Sequence, residues 1–126
     1  MSLSDADRLE IEELVYRYNH ATDAGDGDTR ADLFTEDGIF VAPGRDLRGR
    51  DAIRAATRAS GRRHWVNNLV IDGQDGEATI HCYLTLFDVA GRRMQITGRY
   101  SDTVQLVGGA WKFARREFNV DQAPTG

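Results

Sequence analysis

The sequence predicts an α+β fold in which N-terminal helices pack in a curved, mostly antiparallel sheet. Two observations carry that reading. Over the first third of the chain, apolar residues recur at the spacing of a helix. From His64 onward they alternate at period two, in four runs separated by glycine-bearing turns. Helices followed by a meander of strands is the order of an α+β protein whose helices cover one face of its sheet. With 126 residues, the chain fits one domain spanning 1–126.

The elements follow in order. Ser4 with Asp7 marks a capping box at a helix start. Ile11, Leu14, Val15, Tyr18, Ala21 and Thr22 then form one apolar stripe, and Glu10, Glu12, Glu13 and Arg17 decorate the other side. Gly25 and Gly27 end this helix, with a turn over 24–28. A short helix is expected at Thr29–Phe34, a tight turn at Thr35–Gly38, a short strand at Ile39–Ala42 and a third helix at Asp51–Ser60. Strands are expected at His64–Ile71, Ala78–Val89, Arg93–Val107 and Trp111–Val120, joined by turns at Asp72–Gly76, Ala90–Arg92 and Gly108–Gly109. Gly98, inside the third of these, is the expected bend point.

Composition narrows the function classes. A nucleic-acid binder carries a basic stripe with interleaved aromatics. Here the formal net charge is -4 and Arg62–Arg63 is only a doublet, so no nucleic-acid partner is expected. The one cysteine, Cys82, excludes an intramolecular disulfide and reads as a small core side chain. No apolar stretch reaches membrane-spanning length and no signal-peptide core is present, so a cytoplasmic protein without a membrane partner is expected. His20, His64 and His81 share no ligand spacing on one face, so no metal site is expected.

The run YRYNHATDAGDGDTRADLFTEDG from Tyr16 to Gly38 resembles the opening of SnoaL-like domains in the NTF2-like superfamily. RHWVNN at Arg63–Asn68, GRYSDT at Gly98–Thr103 and WKFARREF at Trp111–Phe118 match later landmarks of that family in the right order. The resemblance covers essentially the whole chain and implies an NTF2-like cone. It does not fix the substrate, because this fold hosts many activities. One branch holds scytalone dehydratase, bile-acid 7α-dehydratase and hexachlorocyclohexane dehydrochlorinase. Its shared aspartate near the end of helix 1 and histidine at the start of the first long strand are matched here by Asp23 and His64. The dehydrochlorinase arginine is matched by Arg116. Two dehydratase tyrosines are replaced, one by Thr22 and one by Phe40 or Val41, which counts against a scytalone-like substrate.

These residues make a complete proton-abstracting pair. Imidazole accepts a proton near neutrality, and a carboxylate beside it fixes its tautomer and stabilises the imidazolium. His64 is therefore the expected general base and Asp23 its orienting partner, with no metal or organic cofactor required. Their pairing across 41 positions comes from the resemblance, not from spacing. The bland alternative makes Asp23 a helix cap and His64 an edge-of-core side chain.

Strict alternation puts His64, Val66, Asn68 and Val70 on one face, so Asn68 is a candidate pocket residue. Ala78, Ile80, Cys82, Leu84 and Leu86 form an apolar face looking into the cone, with Leu84 and Leu86 against the substrate. Thr79, His81, Tyr83, Thr85 and Phe87 on the other face suggest an oligomer interface, and a homodimer is expected. On the last strand Ala114, Arg116, Phe118 and Val120 share the inner face, opposite Trp111, Phe113, Arg115 and Glu117. An inward arginine needs a carboxylate or a ligand anion. Arg116, Tyr18 and Phe118 complete the expected substrate contacts.

Two functions follow. One is a cofactor-independent lyase or isomerase acting on a small apolar cyclic molecule. The other is a non-catalytic binding or interaction module using the same pocket. Epoxide hydrolysis ranks below both, since Arg99 and Asp102 sit too close on one strand to supply a water-activating set.

Overall fold

The computed structural model describes residues 2–122, which form three helices and one six-stranded sheet. Helix α1 runs Asp5–Ala24, α2 Gly27–Asp32 and α3 Arg50–Ala55. The strands are β1 Phe34–Ala42, β2 Arg45–Arg48, β3 Arg62–Gln74, β4 Glu77–Asp88, β5 Arg93–Val107 and β6 Ala110–Val120. Their order across the sheet is β2-β1-β6-β5-β4-β3, antiparallel except for the β1–β6 pair. None of the described helices is long and apolar enough to cross a membrane.

The capping box closes α1 at one end. Asp7 N–H donates to Ser4 Oγ at 3.0 Å, and Ser4 N–H donates back to Asp7 Oδ2 at 3.2 Å. At the other end Gly25 takes the left-handed conformation, φ 71°, and its N–H reaches Ala21 and Thr22 carbonyls. The stripe between them packs Ile11, Leu14, Val15 and Tyr18 against Ile80, Leu84, Val104 and Phe113 in one core cluster. Each such side chain contributes about 1.5–3 kcal/mol on burial.

Several boundaries differ from expectation for local reasons. Helix α2 starts earlier, at Gly27, because Asp26 caps it by accepting from Thr29 N–H at 3.1 Å. It ends before Phe34, which already belongs to β1, where Phe113 N–H donates to the Leu33 carbonyl at 2.8 Å. The expected turn at Thr35–Gly38 lies inside β1 as a bulged stretch. Five steps along β1, from Phe34 to Ile39, advance only from Phe113 to Arg115 on β6. Arg50 braces this stretch by donating from Nε and Nη2 to the Phe34 carbonyl. Helix α3 stops at Ala55, well short of Ser60. Thr57 Oγ donates to the Ile53 carbonyl at 2.7 Å, taking the acceptor that helical continuation needs. The short edge strand β2 was not expected; its apolar signal is a single residue, Leu47. The third and fourth long strands hold to within a residue of expectation. The Asp72–Gly76 turn shrinks to Asp75–Gly76, whose positive φ values of 53° and 79° suit a two-residue hairpin.

Gly98 on β5 pairs with Val120 on β6. A Cβ there would meet the Phe118 ring and the Asn119 carbonyl. Gly98→Ala should therefore destabilise the fold by about 1–3 kcal/mol, as overpacking does. The midpoint of urea unfolding reads this directly; an unchanged midpoint would refute the close-approach account.

Candidate active site

Asp23 lies in the last turn of α1, and His64 lies near the start of β3, the far edge of the sheet. The two side chains meet. His64 Nδ1 is 2.6 Å from Asp23 Oδ1, and His64 N–H donates to the same carboxylate at 3.2 and 3.3 Å. Asp23 does not cap α1, since Gly25 and backbone groups do that. A carboxylate only accepts, so Nδ1 carries the proton and Nε2 is left as the basic atom. No hydrogen bond to Nε2 occurs among the described residues.

Burial lowers the His64 pKa below its ordinary 6.5; the Asp23 contact works against this, and the charges of Arg116 and Arg30 add to it. A lowered value extends the neutral form of His64, the form able to accept a proton, further into acid. An NMR titration of the His64 ring should show its midpoint below 6.5, and a midpoint above that value would count against the buried neutral base.

A cavity of about 720 Å³ opens inside the cone beside His64. Leu84, Leu86, Phe40, Ile96 and Phe118 supply its apolar walls, and Tyr18, Tyr100 and Arg30 its polar points. A second groove, of about 910 Å³, lies on the outer side of the dyad along Tyr16, His20 and Trp65. The inner cavity is the candidate site, because core side chains wall it, whereas the outer groove rests on exposed residues such as Trp65.

Two expected contacts are corrected. Asn68 is exposed, at φ 56°, in a bulge where β3 spends three steps from Asn67 to Val70 against two from Tyr83 to His81 on β4. The extra residue reverses the facing of everything after it. Leu69 and Ile71 turn inward, and Val70 is 55% exposed. Arg116 is fully buried and is not part of the cavity lining. Its Nε lies 3.2 Å from Asp102 Oδ1, and its guanidinium packs 3.6 Å from the centre of the Tyr100 ring and 4.3 Å from that of Tyr18. It supports the cavity floor from beneath. Burial pushes the Asp102 carboxyl up to about 7, with Arg116 opposing the rise. The facing on β6 is corrected as well: a register shift beside Ala114 leaves Trp111 and Phe113 inside together with Arg116 and Phe118.

A family model described as a SnoaL-like domain matches residues 5–117. The chain belongs to the SnoaL-like domain family. Among solved structures, a protein of unknown function with a cystatin-like fold from Nostoc punctiforme is 29% identical, at TM-score 0.90, covering 96% of each chain. A proposed scytalone dehydratase from Novosphingobium aromaticivorans is 27% identical at TM-score 0.80, covering 93% of this chain and 85% of that one. LinA, at 18% identity and TM-score 0.81 over 93% and 87% of the two chains, shares the fold. No functionally curated protein matches the sequence.

Against that SnoaL-like frame, two site features had escaped the sequence. Arg30 is buried in the cavity wall, donating to Tyr18 Oη and Thr57 Oγ at 2.9 Å each. Its sequence neighbours, in a polar helix, gave no sign of it. Asp102 pairs across the sheet with Arg116 and not with its strand neighbour Arg99, which is exposed and lies 3.8 Å from Asp121.

Proposed function

We propose that this SnoaL-like protein is a cofactor-independent lyase or isomerase that removes a proton from a small, largely apolar cyclic molecule. The 2.6 Å contact between His64 and Asp23 beside an apolar-walled cavity carries this reading. His64 Nε2 takes a substrate C–H proton, and the Asp23 carboxylate balances the imidazolium that forms. Tyr18 Oη accepts from Arg30, so its own O–H is free to donate to an oxygen on which negative charge develops. Leu84, Leu86 and Phe118 hold the ring and exclude water. A leaving group beyond the carbanion gives elimination; return of the proton elsewhere gives double-bond migration. Likeness to a proposed scytalone dehydratase supports the eliminating branch.

The test is solvent-deuterium exchange into a panel of cyclic ketones, β-hydroxyketones and halides, followed by NMR. Exchange or turnover that vanishes in His64→Ala supports the enzyme. Tight retention of a panel member with neither exchange nor turnover would instead favour a binding module.

The outer face of β3 and β4 leaves Trp65 58% and Tyr83 53% exposed, with the Trp65 and Phe87 rings tilted 47° to each other at 4.2 Å between centres. We propose that this face joins two copies of a cytoplasmic homodimer. Sedimentation should give a dimer that Trp65→Asp converts to monomer; a monomeric parent protein would end this proposal.

A further inference from the structure

We propose that the ligand of the inner cavity carries a carboxylate, received by Arg30; this rests on reading that cavity as the site of a small, mostly apolar molecule. The charge around the cavity runs opposite to that of the chain. The sequence holds 20 acids and 16 basic residues. Yet the cavity is lined by Arg30, Arg45, Arg58 and Arg62 with no aspartate or glutamate.

Arg30 is the decisive member. It is 4% exposed, and both hydrogen bonds it makes go to neutral hydroxyls, those of Thr57 and Tyr18. Its Nε is buried with no partner, and no carboxylate pairs with it among the described residues. Its guanidinium lies over the Phe40 ring, 4.8 Å from the centroid. The other fully buried arginine, Arg116, has Asp102 beside it. A buried cation without a counter-ion is costly, and a fold that keeps one in a cavity wall has left the anion to be supplied from outside. A carboxylate fits a guanidinium edge, where planar donors meet two oxygens.

The remaining arginines extend the pattern outward. Arg45, Arg58 and Arg62 are exposed, and their side chains make no hydrogen bond or ion pair among the described residues. Exposed Arg17, Arg48, Arg54 and Arg115 each contact an acid while Arg63, Arg92 and Arg93 do not, so what marks the cavity is that three unpaired arginines gather around it. Unneutralised positive charge at a cavity mouth draws anions in at a rate that salt suppresses. With the carboxylate held at Arg30, the apolar body lies along Leu84, Leu86 and Phe118 and presents its C–H bonds toward His64.

Calorimetric titration of the full chain with 2-naphthoate and with 2-naphthamide, near neutral pH and at low salt, tests this. The carboxylate should bind at least about tenfold more tightly than its neutral isostere, the effect of one charge-assisted pair. Arg30→Met should erase that ratio. If Arg30→Met does not fold, Arg30→Lys, which keeps a cation without the planar fork, should reduce the ratio. Joint replacement of Arg45, Arg58 and Arg62 by Gln should flatten the salt dependence of the association rate. Equal affinities, no binding of the carboxylate, or a preference that survives Arg30→Met would each overturn the proposal. A preserved carboxylate preference with no exchange chemistry would refute the proton-abstraction reading alone. Exchange chemistry without the preference would refute this one alone.

Discussion

Replacing His64 with alanine should lower the rate of proton abstraction by about 10²–10⁴-fold, the span that a positioned general base contributes. The variant is expected to fold, because residue 64 keeps the backbone N–H that donates to Asp23 and the ring is only one part of the cavity wall. Ligand affinity should change little, so the loss falls on kcat and not on KM. Asp23→Asn gives the complementary result. The neutral amide cannot balance the imidazolium, and the rate falls although the base is still present. Since Asp23 raises the His64 pKa against burial, its neutralisation should move the ring titration further down. A His64→Ala variant with undiminished rate would remove the imidazole from the mechanism. A titration in Asp23→Asn that moved upward would show the two groups are not coupled as their geometry implies.

The largest stability effect should come from Asp102→Ala. Arg116 has no exposed surface, and Asp102 is its counter-charge. Removing one partner of a buried ion pair strands the other, at a cost of about 3–5 kcal/mol. At roughly 4 °C per kcal/mol for a chain of this size, the melting temperature should drop by about 12–20 °C. A double replacement, Asp102→Leu with Arg116→Met, should recover most of the loss, because a well-packed apolar pair does not need its charges matched. Calorimetric melting of the three proteins reads both halves of this cycle. If Asp102→Ala melts like the parent, the pair is not what neutralises Arg116; if the double variant is no better than the single, packing and not charge dominates there.

The fold was legible because its signals are periodic and local. Ser4 with Asp7, the stripe from Ile11 to Ala21, Gly25, and the alternation of Ala78 to Leu86 each stand in a few residues of sequence, and each marks the element it should. What escaped was phase. Counting back from Gly108–Gly109 sets Asp102 opposite Arg115. The register shift between Thr103 and Val104 brings Arg116 there instead. A single extra residue in β3 likewise moved Asn68 off the inner face. Side-chain period in a strand is two, so one inserted residue inverts all that follows, and composition leaves no trace of it. Arg30 was invisible for another reason. Six residues of polar α2 carry no apolar stripe, so its inward side is set wholly by packing against Tyr18 and Thr57.

The edge position of β3 gives the Asp23 carboxylate a second duty. A border strand leaves alternate amides without a neighbour, inviting another chain to pair along it. On β3 the His64 amide is already taken by a side chain that reaches across from the helix. Any visiting strand that sought this amide would have to unseat Asp23, and with it the grip on the imidazole. Resistance to edge-wise self-association and the readiness of the proposed base would thus run through one carboxylate, so mutational drift that loosens either would expose both.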